Sequence, residues 1–350
     1  MPLSAVKPPR VDPTPIFELF RGSYATELLS AAVAHFNLFG RLAQQPVTAA
    51  ELAQVLGLAQ RPMVVLLTAL RSFGLLTCDA QGRLHLTELA REHLLPGASF
   101  DVGDYIGLAA NNPGVLEMVE RLRSNRPASH ESGVAFIYRE GVASAMENEA
   151  AARHFTNALA GRAKNVAPLL AARILLPSDA RLLVDVGGGT GIYSIAFLQA
   201  NPNLRALVLD RPEVLKVAQE MAKAYGVADR LQTQPADMFR TSMPMDVDVE
   251  LLSNILHDWD VAECRTLIAR CAASLRPGGQ LLVHDVFLND SLDGPLPIAL
   301  YSAALFCLTE GRAYSAAEYR GWLVDAGLEP GPVTPTLIHC GVLPGTKVRA

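Results

Sequence analysis

The chain has 350 residues, 50% of them hydrophobic and 19% charged, with a formal net charge of −5. Such a length admits about two domains whose cores need no staples, and the composition excludes disorder over most of it. The negative charge excludes a general affinity for nucleic acid or anionic membranes, and no run of about 18 uncharged apolar residues offers a transmembrane helix.

Residues 1–14 are proline-rich and lack an apolar stretch. They read as a disordered arm and not as a secretory signal. The five cysteines, Cys78, Cys264, Cys271, Cys307 and Cys340, show no metal-ligand spacing. They read as reduced, buried thiols of a cytoplasmic protein.

Residues 15–100 read as helices plus one hairpin. Apolar positions recur at helical spacing over 16–41, broken near Asn37 and Gly40. Thr48-Ala-Ala-Glu51 is a capping box, Gly57 closes its helix, Pro62 opens the next, and Gly74 ends it. LLTCDAQGRLHLT gives two short strands around a turn at 79–82, and Thr87 caps a further helix. This is the order of a winged helix. Across 47–96, however, Arg61, Arg71, Arg83 and Arg91 are balanced by Glu51, Asp79, Glu88 and Glu92. A reader of DNA needs a basic stripe, so the segment is assigned to dimerisation or to a substrate lid. Residues 101–170 read as a helical connector and lid, with a turn at 111–114.

Residues 171–350 change pattern. Apolar runs such as RLLVDV, RALVLD and GQLLVHDVFL alternate with helix-length segments. That alternation predicts an α/β domain with an open parallel sheet covered on both faces. Ligands on such sheets bind beyond the C-terminal strand ends.

The first strand runs into Asp185-Val-Gly187-Gly188-Gly189-Thr-Gly191. A dinucleotide fingerprint, G-x-G-x-x-G, fails here because its third glycine would fall on Ile192 or Ser194; no phosphate-binding P-loop is present either. The pattern is D-x-G-x-G-x-G, and its acid suits a ligand carrying an ammonium and a sulfonium. Asp210 ends the second strand, where a carboxylate accepts from two ribose hydroxyls or caps the following helix. After the third strand, Asp237 is an acceptor for an exocyclic amine and Met238 a surface for a base. After the fourth come Ser253 and then His257-Asp258-Trp259, with His257 suited to take a proton near pH 7.

These residues together resemble the class I S-adenosylmethionine-dependent methyltransferases, a Rossmann-like fold. Over residues 15–345 the chain is similar to the caffeate/acetylserotonin/hydroxyindole O-methyltransferase family, on the strength of DVGGGTG, the acid at 210, Asp237-Met238, LHDW and RPGGQLLVHD. The resemblance implies an N-terminal winged-helix dimerisation domain, a homodimer, S-adenosylmethionine as cofactor and S-adenosylhomocysteine as product. It implies that Asp185, Gly187, Gly189 and Gly191 line the methionine part, that Asp210 holds the ribose, and that Asp237 and Met238 hold the adenine. Ser253 stands where the family often has lysine. His257 matches the general base and Asp285 the first of two acids flanking it; Asp285 or Asp258 would fix the imidazole tautomer. The second acid's position is Ala313 here, with Glu310 three residues upstream. Phe155, Leu159, Tyr301, Ala304, Leu305 and Phe306 are candidate walls for a small hydroxylated aromatic acceptor.

The alternative is C-methylation of a 2-oxo acid or similar enolisable substrate, assisted by a metal at His257 and Asp285. His284 and Asp285 are adjacent on a strand and face opposite ways, so both cannot be ligands to one ion. His284 is read as a half-buried strand residue, and no metal site is expected.

Overall fold

The computed structural model describes residues 2–126 and 149–348. The chain forms two compact units: residues 18–133 with 288–313, and residues 1–17 with 134–287 and 314–350.

In the unit containing the wing, the short strand β1 (Val47–Thr48) leads into the helix Ala49–Leu56. Its capping box is complete: Thr48 N–H donates to Glu51 Oε2 (2.7 Å) and Glu51 N–H to Thr48 Oγ1 (3.2 Å). Gly57 then adopts a left-handed conformation, φ +67°, and closes the helix as a residue without Cβ does most easily. The next helix spans Gln60–Ser72, opening two residues before Pro62. Strands β2 (Leu76–Cys78) and β3 (Arg83–Leu86) form the hairpin, and β1 joins its other edge in the order β1-β3-β2. Thr87 caps the helix Glu88–His93.

Two local expectations are corrected here. The apolar segment does break at Asn37, which is left-handed at φ +44°, but Gly40 lies inside the following helix Leu38–Gln44. Pro113 is not part of a turn. It stands at the first position of the helix Pro113–Ser124, where its missing N–H costs nothing.

The core of this unit gathers Leu28, Phe39, Leu66, Leu70, Met118 and Leu122. It also takes in Phe306 and Cys307 from the helix Leu296–Leu308. That helix is apolar on every side, as a helix buried all round must be. Arg61 reaches from the second winged-helix segment to the carbonyls of Thr309 and Gly311, at 2.9 and 3.1 Å. A stretch about 250 residues distant in sequence thus completes the wing unit.

The other unit is built on the sheet. Strands β4 (Leu182–Val186), β5 (Arg205–Asp210), β6 (Leu231–Pro235), β7 (Val247–Ser253) and β8 (Leu275–Leu288) are mutually parallel. Strand β9 (Tyr314–Ser315) pairs with β8; β10 (Leu328–Pro330), β11 (Thr334–Pro335) and β12 (Cys340–Lys347) follow. The order is β10-β12-β8-β7-β4-β5-β6. The sheet is therefore mixed and not wholly parallel, because β12 runs antiparallel to both β8 and β10. The link over 331–339 is too short for the helical crossover that a parallel return requires. Gly341, Pro344 and Gly345 interrupt β12 in sequence and hide it from a pattern reading.

Two of the residues expected to fray, Leu3 and Ala5, are tied to this unit. Leu3 N–H donates to Ala224 O (3.0 Å), Ala5 N–H donates to Gln199 Oε1 (2.7 Å), and Ala5 is buried. All five cysteines are free, and Cys78 is exposed where a buried thiol was expected. Among the described residues no single helix is long and apolar enough to cross a membrane.

Candidate active site

The C-terminal parts of β4, β5, β7 and β8 carry Asp185, Asp210, Ser253 and Asp285. After β4 the chain turns through Gly187 at φ +70° and Gly189 at φ +59°. A Cβ on Gly187 would lie 2.5 Å from Ile255 Cδ1, so any other residue there would have to displace that side chain and adopt a strained left-handed backbone. The turn is held against β5: Gly187 N–H donates to Leu209 O (2.7 Å) and Gly189 N–H to Asp210 Oδ2 (2.8 Å). The helix Ile192–Ala200 begins directly after Gly191.

Asp185 is fully buried beneath this turn. Its Oδ2 accepts from Ser194 Oγ (2.6 Å), while its Oδ1 has no partner in the protein. Burial pushes its pKa up to about 7, against the Ser194 hydrogen bond and with help from the negative charge of Asp210. A buried carboxyl oxygen without a donor is costly. It fits a ligand that brings a cationic N–H to this point.

Asp210 is half-buried and does not cap the helix Pro212–Ala224. Its two oxygens accept from Gly189 and Arg211 N–H groups, which turns the carboxylate toward the glycine turn. Asp237 is exposed, with Oδ1 accepting from Phe239 N–H (2.8 Å). Met238 is half-buried, and its Cε lies 3.3 Å from the position of a Cβ on Gly187.

His257 lies in a short turn, Leu256–Asp258, just past β7, and is 3% exposed. Its Nδ1 is 2.5 Å from Asp285 Oδ1. Asp285 also accepts from Val286 N–H (2.8 Å) and, through Oδ2, from the Tyr319 hydroxyl (3.0 Å). Burial alone would raise the Asp285 pKa. The charge of His257 when protonated, its hydrogen bond, the Val286 N–H and Tyr319 outweigh it, and the carboxyl is held below its ordinary value. Asp285 is thus ionised, and His257 Nδ1 carries the proton between them. His257 Nε2 lies 3.7 Å from Asp258 Oδ1. Burial lifts the Asp258 pKa to about 6, and His257 opposes the rise when its ring is protonated.

Tyr319 went unnoticed in the sequence. The capping box Ser315-x-x-Glu318, which opens its helix Ala316–Asp325, was the available signal. Tyr314, Tyr319 and Trp322 then pack edge to face, and the Tyr314 hydroxyl donates to Trp259 O (2.6 Å). This aromatic cluster aims Tyr319 at Asp285.

Ser253 and His284 are joined: Ser253 Oγ is 2.8 Å from His284 Nδ1. His284 is wholly buried, not half-buried, because the Tyr193 ring packs edge-on against it and Thr336 Oγ1 closes on its Nε2 (3.3 Å). Among the described residues no group of three or more His, Cys, Asp or Glu is arranged to hold a metal ion.

The candidate acceptor walls are divided between the units. Leu159 is 45% exposed on the helix Glu149–Arg173 of the sheet unit; the side chain of Phe155, on the same helix, lies outside the described residues. In the wing unit, Tyr301 and Ala304 are half-buried and the Arg21 guanidinium lies 3.9 Å from the Tyr301 ring centroid. Leu305 is buried, and Phe306 is wholly enclosed in that unit's core with Arg61 over its ring. Ala313 is likewise buried there, its N–H donating to Ser302 Oγ (3.1 Å), and Glu310 is half-buried.

Comparison with known proteins agrees with this geometry. Residues 117–329 match the O-methyltransferase domain family and residues 17–95 the O-methyltransferase dimerisation domain. The chain is 35% identical over 327 residues to a 3-hydroxy-5-methyl-1-naphthoate 3-O-methyltransferase of Streptomyces sahachiroi, covering 93% of this chain and 92% of that one. It is 29% identical over 320 residues to acetylserotonin O-methyltransferase of Bos taurus, covering 89% and 90%. A solved structure of an O-methyltransferase family 2 protein from Planctomyces limnophilus, in complex with apigenin, superposes with a TM-score of 0.89. It shares 45% identity, with 99% of each chain covered. The chain belongs to the S-adenosylmethionine-dependent O-methyltransferase family, with the family's N-terminal dimerisation domain and C-terminal α/β methyltransferase domain.

Proposed function

We propose that this enzyme methylates a hydroxyl of a small aromatic metabolite, with His257 as general base. The observation that carries the reading is the buried contact between His257 Nδ1 and the ionised Asp285. The named substrates of similar proteins, a hydroxynaphthoate and acetylserotonin, are hydroxylated aromatics or their derivatives, and the Planctomyces protein binds apigenin.

S-adenosylmethionine, when bound, supplies a methyl group activated by a sulfonium. In this reading Asp185 and the turn Gly187, Gly189 and Gly191 hold its methionine part, Asp210 the ribose, and Asp237 with Met238 the adenine. Ser253 replaces the common lysine with a neutral hydroxyl. The unpartnered Asp185 oxygen supports the fit, since it needs a donor that the protein does not provide.

The chain's own chemistry is then proton removal and alignment. A phenol has an ordinary pKa of about 10 and is mostly protonated near neutrality. Asp285 accepts the Nδ1 proton of His257, so the neutral ring presents a lone pair at Nε2. Nε2 takes the acceptor's hydroxyl proton as oxygen attacks, and Asp285 stabilises the imidazolium that results. Asp258, close to Nε2, adds a second favourable charge when ionised. Holding oxygen and methyl in line supplies much of the remaining rate. We further propose a cytoplasmic homodimer assembled through the dimerisation domain.

The test is incubation with S-adenosylmethionine and a panel of phenols, catechols, hydroxyindoles and 2-oxo acids, read by mass spectrometry. One methyl on oxygen is expected, unaffected by a chelator. His257→Ala should lower kcat by about 10²–10⁴, the usual worth of a general base. A methyl on carbon, or an unchanged rate in the variant, would overturn the mechanism.

A further inference from the structure

The loop that follows β6 is joined by side chains to the turn that carries His257. The loop is first knotted on itself. Asp237 Oδ1 accepts from Phe239 N–H (2.8 Å), as in an Asx turn. Asp237 N–H donates to Thr241 Oγ1 (2.9 Å), and Thr241 N–H donates to Asp237 O (2.8 Å). Two of its carbonyls are then held from outside. Arg270, half-buried on the helix Val261–Ser274, donates from Nε to Met238 O (3.0 Å) and from Nη2 to Thr241 O. A guanidinium presents its donors in a rigid planar fork, so one side chain fixes both carbonyls. A lysine, a point charge on a flexible stem, cannot reproduce that geometry.

The loop's other anchor is aromatic. The Phe239 ring meets the Trp259 ring edge to face, with centroids 5.0 Å apart and planes at 85°. Such pairs prefer this arrangement because the positive edge of one ring meets the negative face of the other. Phe239 is half-buried and Trp259 is buried. Trp259 directly follows the turn Leu256–Asp258. Its carbonyl accepts from the Tyr314 hydroxyl (2.6 Å), and Cys264 Sγ lies 3.4 Å from that carbonyl and 3.1 Å from Leu256 O. Met238, Phe239 and Ile255 pack against the cluster that contains Leu256, Trp259 and Cys264. One helix therefore holds the turn through Cys264 and the loop through Arg270. Contiguous packing and hydrogen bonds of this kind carry coupling between sites, and perturbing them is what demonstrates it.

We propose that Arg270 and Phe239 are positioning residues that couple the loop 237–241 to the general base. Arg270 fixes the loop, and Phe239 passes its order through Trp259 to the turn that holds His257. A ligand that engages the loop thereby orders the base. The inference rests on the cofactor and base assignments proposed above.

The test joins calorimetric titration of adenosine and S-adenosylhomocysteine to amide hydrogen exchange over residues 255–259. Exchange there reads the Asp258 and Trp259 amides, which donate to Ile255 O and Leu256 O (3.1 Å each). R270M keeps an aliphatic stem and removes the donors; F239L keeps an apolar side chain and removes the ring edge. In the wild type, adenosine is expected to slow exchange over 255–259. R270M should weaken both ligands about tenfold or more, the worth of a hydrogen bond from a charged group, and R270K should fall between it and the wild type. F239L should bind adenosine as the wild type does and lose the slowing. With an acceptor from the panel above, F239L should also lower kcat about two- to tenfold, the worth of an aromatic pair, at unchanged KM for S-adenosylmethionine. Slowing that survives in F239L, no slowing in the wild type, unchanged kcat in F239L or unchanged adenosine affinity in R270M overturns the coupling. Binding without turnover of any acceptor overturns the proposed function, and the exchange rates still decide the coupling. A wild type that binds neither ligand overturns the cofactor reading, and this proposal with it.

Discussion

At His257 the proton inventory decides what the residue can do. Asp285 is a charged acceptor on Nδ1, and replacing it by asparagine puts a donor where an acceptor is needed. D285N should lower kcat/KM by about 10²–10⁴. The deficit should shrink at alkaline pH, where the acceptor phenol ionises without help; pH-rate profiles of both enzymes check this. Tyr319→Phe removes one donor from Asp285 and should cost about 1 kcal/mol, roughly fivefold in rate. His257 and Asp285 are legible in sequence because they lie in short motifs at strand ends. Tyr319 is not, because its 34-residue separation from Asp285 is bridged only by the packing of a later helix. The orphan oxygen of Asp185 is invisible for the same reason: a missing partner is a property of three-dimensional surroundings.

At the scale of elements, local chemistry carries far. The Thr48 capping box, the left-handed Gly57 and the Thr87 cap all lie where residue type places them. Thr48→Ala should destabilise the wing unit by about 1 kcal/mol, seen as a lower denaturant midpoint at unchanged slope. The glycine turn is equally local, since Gly187 and Gly189 hold left-handed backbones that other residues adopt only with strain. Elements that break local rules are the ones a pattern misses. Strand β12 carries two glycines and a proline and is held by a full ladder to β8. Pro113 looks like a turn residue and starts a helix, because its position relative to the helix matters more than its type.

For the whole molecule, buried acids set the response to pH. Glu250 sits in the middle of β7, wholly buried, with Ser274 donating to one oxygen and none to the other. Burial lifts its pKa from 4.5 to about 8, and that of Asp185 from 3.8 to about 7. The native state then holds protons that the unfolded chain releases, so stability falls as pH rises from the ordinary values to about 8. A tenfold difference in proton affinity between the folded and unfolded chain is worth on the order of 1.4 kcal/mol. Asp285 acts oppositely: its contribution is present above its ordinary value and lost as pH falls through its lowered one. The thermal midpoint should therefore be highest at mildly acid pH. In Glu250→Gln, which cannot ionise, it should fall less between about pH 5 and 8.

The sequence by itself determined the strand-end motifs, the helix caps, the parallel heart of the sheet and the winged-helix order. Each depends on residues within one element or one turn, where backbone sterics and hydrogen bonding act locally. The tertiary structure alone decided that the helix Leu296–Leu308 completes the wing unit, that β12 reverses the sheet edge, and that Tyr319 braces Asp285. It also left a buried oxygen of Asp185 without a donor in the protein. Those outcomes follow from burying apolar faces and satisfying polar groups across long stretches of chain, and no local pattern records them.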